Sequence, residues 1–438
     1  MNKKIGCLVI ALSLTLSIFA GCSNQKSTQD MSTTKEVKND PFKISVSSWA
    51  LGEDVAPDTR NADYKTEVEK KFKEKYPTGS IVWNNMPNEK YFDVLKSKFA
   101  AGAADDVVFY QQGAYKMFSS AGYLEDLSSL PVAQDMVDSA KRLMTVKGKV
   151  YGIAQDVSVL GAFYNKKVFA DAGIAAPPKT WKELTEDCEK IKAKGVAPFV
   201  GGFKDQWTLV GVWGCLFAPF IFENSTNFIM DVYNGKSKFD GPEYKVAFGK
   251  FQELVQKGYF NKNLLSIGWD QSRVELGTGK AAILLQGNFL PGMMKTEYKD
   301  TEIGYFPIPD DNGKTVLSVG TNLLMGVNSK SKNIDKAKEL VTIMNDKAVL
   351  APLFKDQNFS ALKSVTVDFA LPALKDIQTV LKNNPTAVQP DTFIAPSTQD
   401  ILVKALTKVA AGSKFDENDL SAADTSNTRD KALINVNQ

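Results

Sequence analysis

Residues 43–49 (KISVSSW) alternate apolar with polar side chains and are rich in β-branched residues, which predicts a strand. Residues 62–76 place Tyr64, Val68, Phe72 and Tyr76 at helical spacing, and Pro77 stops the run. A second strand is expected over 80–85 (SIVWNN). A helix follows over 90–102, capped by Gly102, and then a short apolar strand over 106–110 (DVVFY). Strands alternating with helices at this spacing imply a parallel sheet covered by helices on both faces. The theme continues with strand and strand-to-helix patterns over 150–170. Residues 179–194 read as a helix started by a Thr180/Glu183 capping box and ended by Gly195. A strand over 197–202, helices over 244–257 and 271–277 and a fully buried strand over 281–287 come next, with helices over 332–346 and 398–411 after them. No internal repeat or long linker divides this body.

The first residues follow a different pattern. Lys3 and Lys4 precede an uncharged run from Ile5 to Ala20, too short for a membrane span of ~20 residues, and small residues follow. The run ends Phe19-Ala20-Gly21-Cys22, similar to the lipobox of bacterial lipoproteins, although leucine is usual where Phe19 stands. Residues 1–21 therefore read as a lipoprotein signal peptide. Cys22 is the lipidation residue, carrying an acyl group such as palmitate, and 22–40 is a polar tether with too few apolar groups to fold.

Composition narrows the chemistry. The 438 residues contain no histidine, which removes Ser-His-Asp and Cys-His catalysis and His-ligated metals together. Outside the leader only Cys188 and Cys215 remain, and both read as free, buried thiols, although a disulfide between them stays open. The formal charge of +3 rests mainly on lysine. The only arginines are Arg60, Arg142, Arg273 and Arg429, which disfavours nucleic acid and a strongly anionic ligand. No cofactor or metal site is expected.

Open parallel sheets bind ligands beyond the carboxyl ends of their strands. The residues at those ends are Trp49, Asn85, Tyr110, Gln111, Gln112, Asp156, Trp207, Asn288 and Phe289, with Trp269 and Asp270 as further candidates. Aromatic rings cover the flat C–H faces of a sugar, and amides and carboxylates take hydroxyl pairs, so this set points to carbohydrate. These residues also have structural alternatives: Trp49, Trp207 and Phe289 can be core, Gln111 and Gln112 a solvated turn, and Asp156 or Asp270 a cap. Trp181 and Trp213 read as core.

Four stretches then resemble the extracellular sugar-binding lipoproteins of ABC importers, the family that includes maltose-binding protein. They are 91–130, 147–184 (with G-K-V-Y-G, Y-N-K and P-P-K-T-W), 279–289 (GKAAILLQGNF) and 318–344. Asp105 and Ala154 stand where the family has proline, and Phe289 where it has tryptophan. The resemblance implies a two-lobed α/β fold of the type II periplasmic-binding-protein kind, each lobe a mostly parallel sheet flanked by helices with the ligand cleft between them. Lobe one would comprise 41–158 and 322–366, and lobe two 159–321 and 367–438. Carried over, the family's ligand aromatics fall on Tyr110, Trp207 and Phe289. Loop and hinge contacts fall around Trp49, Asp156 and Asn322, and a tail-helix contact near Ser397–Gln399. The implied function is capture of a sugar or oligosaccharide by hinge closure and its delivery to an ABC permease. The protein would be a monomer, not an enzyme, lipid-anchored outside the cytoplasm. The alternatives are the same fold binding a non-sugar solute or acting as a sensor subunit, a lipid-anchored glycosidase, and a structural lipoprotein.

Overall fold

The computed structural model describes residues 40–52 and 60–434. The signal peptide, Cys22 and nearly all of the tether lie outside them, as do the side chains of Arg60 and Gln112. The strands, in chain order, are β1 (Phe42–Ser48), β2 (Gly79–Asn85), β3 (Val107–Tyr110), β4 (Thr145–Val146), β5 (Lys149–Val150), β6 (Ile153–Ala154) and β7 (Asp156–Asn165). They continue with β8 (Ala197–Phe199), β9 (Ala281–Gly287), β10 (Ile303–Phe306), β11 (Leu317–Gly320), β12 (Leu324–Val327), β13 (Phe359–Ser360) and β14 (Thr386–Val388).

Two sheets organise two α/β lobes. The first has the order β2-β1-β3-β12-β6, and the second β14-β11-β7-β9-β8, with β10 and β13 also paired to β7. β1 is parallel to β2 and β3, whereas β12 runs against β3 and β6. In the second sheet β7 alone runs against its neighbours β9, β10, β11 and β13. Each sheet is thus parallel apart from one reversed strand, and those two strands lie next to the passages between sheets.

The helices follow the apolar spacing. Helix Arg60–Lys75 buries Tyr64, Val68 and Phe72 and stops before Pro77. Helix Trp181–Ala193 starts as expected, with Thr180 Oγ1 accepting from Glu183 N at 3.2 Å. Its reciprocal bond goes one residue further back, from Lys179 N to the Glu183 carboxylate. The strand expected over 197–202 ends at Phe199, because Gly201 N turns to the Asn261 side chain instead of a neighbouring strand. Helix Glu417–Arg429 escaped the apolar pattern because its buried face is Leu420, Ala423, Ser426 and Asn427. The apolar core covers both sheets, from Ile44, Val46 and Phe109 to Phe163, Ile283 and Trp213. Each fully buried large side chain contributes roughly 1.5–3 kcal/mol relative to exposure. Trp181 and Trp213 are core, and Cys188 and Cys215 are buried free thiols.

The chain leaves the first sheet after Ala154 and enters the second at Asp156. It returns between Gly320 and Leu324. A third segment joins these two, since β13 pairs with Asp156 and Val157, and Ala361 N bonds Gln155 O. Among the described residues no helix is long and apolar enough to cross a membrane.

Candidate functional site

Parallel order brings the carboxyl ends of β1, β2 and β3 to one edge of the first sheet, and those of β8, β9, β11 and β14 to one edge of the second. The reversed β7 starts at that same edge with Asp156. The candidates that end or follow these strands directly, Trp49, Asn85, Tyr110, Asp156 and Asn288, therefore lie at these edges.

On the second sheet three aromatics from distant parts of the sequence meet. Trp207 sits in a 3₁₀ turn (Gln206–Thr208) after β8, Trp269 opens helix Trp269–Gly277, and Phe289 follows β9. The Trp207 and Trp269 rings are 5.2 Å apart at 59°, and Trp269 and Phe289 5.8 Å apart at 67°. Trp207 is 38% exposed, an unusual surface for an indole without a partner, while Phe289 is half-buried. Gly287 makes room for Phe289, since a Cβ there would stand 2.6 Å from the phenyl ring.

Asp205 holds the two tryptophans together, and the sequence reading missed it. Helix Trp269–Gly277 has Gly268 at its N-cap and so no capping side chain of its own. Asp205 Oδ2 accepts from Trp269 N at 2.7 Å, which ties the Trp207 loop to the start of that helix. The capping role considered for Asp270 thus falls to Asp205. Asp270 is exposed and pairs with Arg273 at 2.9 Å. The bare glycine before Trp269 was the one signal that an acceptor had to come from elsewhere. Arg273 was also missed. Its guanidinium lies 4.9 Å from the Trp269 ring centroid and forks onto Glu297 at 2.9 and 2.8 Å. Burial works against its charge, but Glu297 and Asp270 outweigh this and lift its pKa above the ordinary arginine value.

Behind the aromatics, the short helix at Leu209–Gly211 runs into a π turn, Val212–Leu216, lying on β7, β9 and β11. The approach is close, since a Cβ on Gly211 would stand 2.4 Å from the Leu285 carbonyl oxygen.

Two buried polar side chains bind the passages. Asp156 Oδ1 accepts from Thr321 Oγ1 (3.1 Å), Asn322 N (2.9 Å) and Leu323 N (2.9 Å). Burial raises its pKa above the usual carboxylate value, and those three donors oppose the shift. Asn288 Oδ1 accepts from Val159 N at 2.7 Å, and its Nδ2 donates to Gln357 O at 2.9 Å. The Asn322 side chain is half-buried in the return passage.

The first sheet places its candidates differently. Trp49 is 9% exposed and packs on Tyr91 and Phe92 at 5.3 and 5.1 Å. Tyr110 is fully buried, stacks on Tyr115 at 5.8 Å and donates to Tyr151 O at 3.2 Å. These two rings belong to the core and do not join the aromatic wall. Half-buried Gln111 is the N-cap residue of helix Gln112–Ser120; Gln112 opens it. Asn85 ends β2, and its Oδ1 is buried with no hydrogen-bond partner. The same holds for Gln286 Nε2 near the end of β9 and for Thr392 Oγ1 beyond β14. Gln389, another residue missed, reaches from the end of β14 to Ser158 Oγ at 3.4 Å. Near the start of the tail helix, Thr398 is buried and Gln399 half-buried. The unusual Asp105 is buried and engaged by Asn84 (2.7 Å) and Lys98 (3.0 Å). Among the described residues no group of histidine, cysteine or carboxylate is placed to hold a metal.

Known proteins match this arrangement. The family model for bacterial extracellular solute-binding proteins matches residues 56–351, more than half of the chain. The multiple sugar-binding protein of Streptococcus mutans serotype c is 24% identical over 372 residues, covering 84% of each chain. A solved chitin oligosaccharide binding protein superposes with a TM-score of 0.79 at 22% identity, covering 90% of this chain and 99% of its own. The solute-binding protein RafE, solved with raffinose, gives 0.74 at 21% identity, covering 89% and 100%. With the family model matching more than half of its length and the fold in agreement, the chain belongs to the bacterial extracellular solute-binding proteins.

Proposed function

We propose that this protein captures an uncharged sugar or oligosaccharide between its two lobes and presents it to the permease of an ABC importer. The observation that carries the reading is the wall of Trp207, Trp269 and Phe289. It offers contiguous ring surface to sugar C–H faces, with one indole already 38% exposed. Arg273, the arginine beside this wall, is committed to Glu297 and Asp270, so it offers no free fork to a ligand carboxylate. The named relatives and solved neighbours bind sugars by their descriptions, which supports the same class here.

The lobes in this reading are 41–158 with 322–366 and 159–321 with 367–438. In this reading Asn85, Gln111, Asn322 and the backbone around Trp49, Tyr110 and Gln112 supply the opposite side of the cleft, while Asp156 and Asn288 hold the passages about which the lobes close. A ligand touching both lobes favours the closed form by its differential affinity. The role in this reading is binding, not turnover: a glycosidase needs two acids flanking one bond, and of the candidate acids Asp156 Oδ1 takes three donors, Asp270 pairs with Arg273, and Glu53 lies outside the described residues. Cys22 carries the lipid that anchors the monomer to the outer face of the cell membrane.

The test is a thermal-shift panel of mono- and oligosaccharides on residues 41–438, with amino acids and organic anions as controls. A ligand at a hundred times its Kd adds about 2.7 kcal/mol, a plain upward shift. A sugar hit whose Kd rises at least tenfold in Trp207→Ala supports the reading. Response only to anions overturns it.

A further inference from the structure

We propose that Arg273 is a positioning residue that fixes the indole plane of Trp269 for ligand stacking, with Glu297 as the post that holds it. The inference rests on the sugar-binding reading and goes beyond it, since neither charged residue touches the ligand in this account.

The geometry is specific. Arg273 lies one helical turn after Trp269, so its guanidinium falls against that ring, 4.9 Å from the centroid. Two nearly parallel bonds, Nε to Glu297 Oε2 at 2.9 Å and Nη2 to Glu297 Oε1 at 2.8 Å, set the orientation of the guanidinium plane. Nη1 is taken by Asp270 Oδ1 at 2.9 Å. The Arg273 side chain is only 11% exposed, and although Glu297 lies at the surface its carboxylate is held by both bonds of the fork. The Trp269 backbone is pinned separately by Asp205. With the backbone fixed at Asp205 and the ring backed by Arg273, the indole keeps one orientation, and its rotamer freedom is already spent before ligand arrives. Preorganisation of this kind raises affinity without a new contact. Lysine cannot substitute, because a point-charge ammonium has neither the fork nor the flat face.

The test uses the full mature chain with Arg273→Lys, Glu297→Gln and Trp269→Ala. The near-ultraviolet circular dichroism of the tryptophan pair is read first without ligand, and the Kd for the best sugar of the panel is read second. The expected result is a weakened tryptophan signal and a Kd raised about five- to tenfold in Arg273→Lys, a smaller change in the same direction in Glu297→Gln, and a larger loss in Trp269→Ala. Thermal midpoints of Arg273→Lys and the wild type within a few degrees show that the effect is not unfolding. If Trp269→Ala loses binding while Arg273→Lys keeps both spectrum and Kd, the positioning role is overturned and the sugar reading stands. If the wild type binds no sugar, the functional reading fails, and the ligand role of Arg273 fails with it.

Discussion

Asp391 shows how much one side chain at the strand ends adds to the behaviour of the protein. It lies three residues beyond β14 and keeps part of its surface open, yet its carboxyl is pushed up to about 6. Desolvation is the cause, opposed only by its own backbone amide. The folded pKa exceeds the unfolded one, so the folded state binds the extra proton between roughly pH 4 and 6, and stability falls as pH rises through that window. Asp391→Asn should therefore gain about 1–2 kcal/mol over the wild type at pH 7 and almost nothing near pH 4, measured by urea unfolding at both. Equal differences at the two pH values would contradict the assignment. At this scale the sequence was only partly legible. Trp207, Trp269 and Phe289 could be named because position after a strand or at a helix start sets depth along the sheet. Trp49 and Tyr110 occupy the same depth, but their side chains point into packing set by Tyr91, Phe92 and Tyr115, and depth alone does not tell which face a ring takes. Asp205 gave no signal at its own position, since its work lies in a contact made by the fold, and the i, i+4 spacing of Trp269 and Arg273 did not show the fork onto Glu297 that holds the guanidinium.

Among the elements, the strand-helix alternation was legible where a strand's burial follows its apolar run, as in fully buried β9, though the half-exposed apolar run of β2 departs from this. The antiparallel course of β7 was not, since direction depends on where the chain re-enters a sheet and not on side-chain pattern. That reversal is what puts Asp156 at the passage, where one oxygen serves Thr321, Asn322 and Leu323. Asp156→Ala leaves these buried donors unpaired and should cost about 2–4 kcal/mol, while Asp156→Asn, which keeps the acceptor oxygen, should cost about 1 kcal/mol. Urea unfolding of the two variants checks this, and equal losses would mean that charge, not the acceptor, holds the passage.

In the whole molecule, three adjacent segments join two α/β lobes, with an aromatic wall on one side of the join. On the proposed function, ligand draws these lobes together. Small-angle X-ray scattering of residues 41–438, with and without the best sugar of the panel, tests this most directly. The radius of gyration should fall on saturation, and the fall should vanish in Trp207→Ala at the same sugar concentration. Saturating sugar bound with an unchanged scattering curve would contradict it.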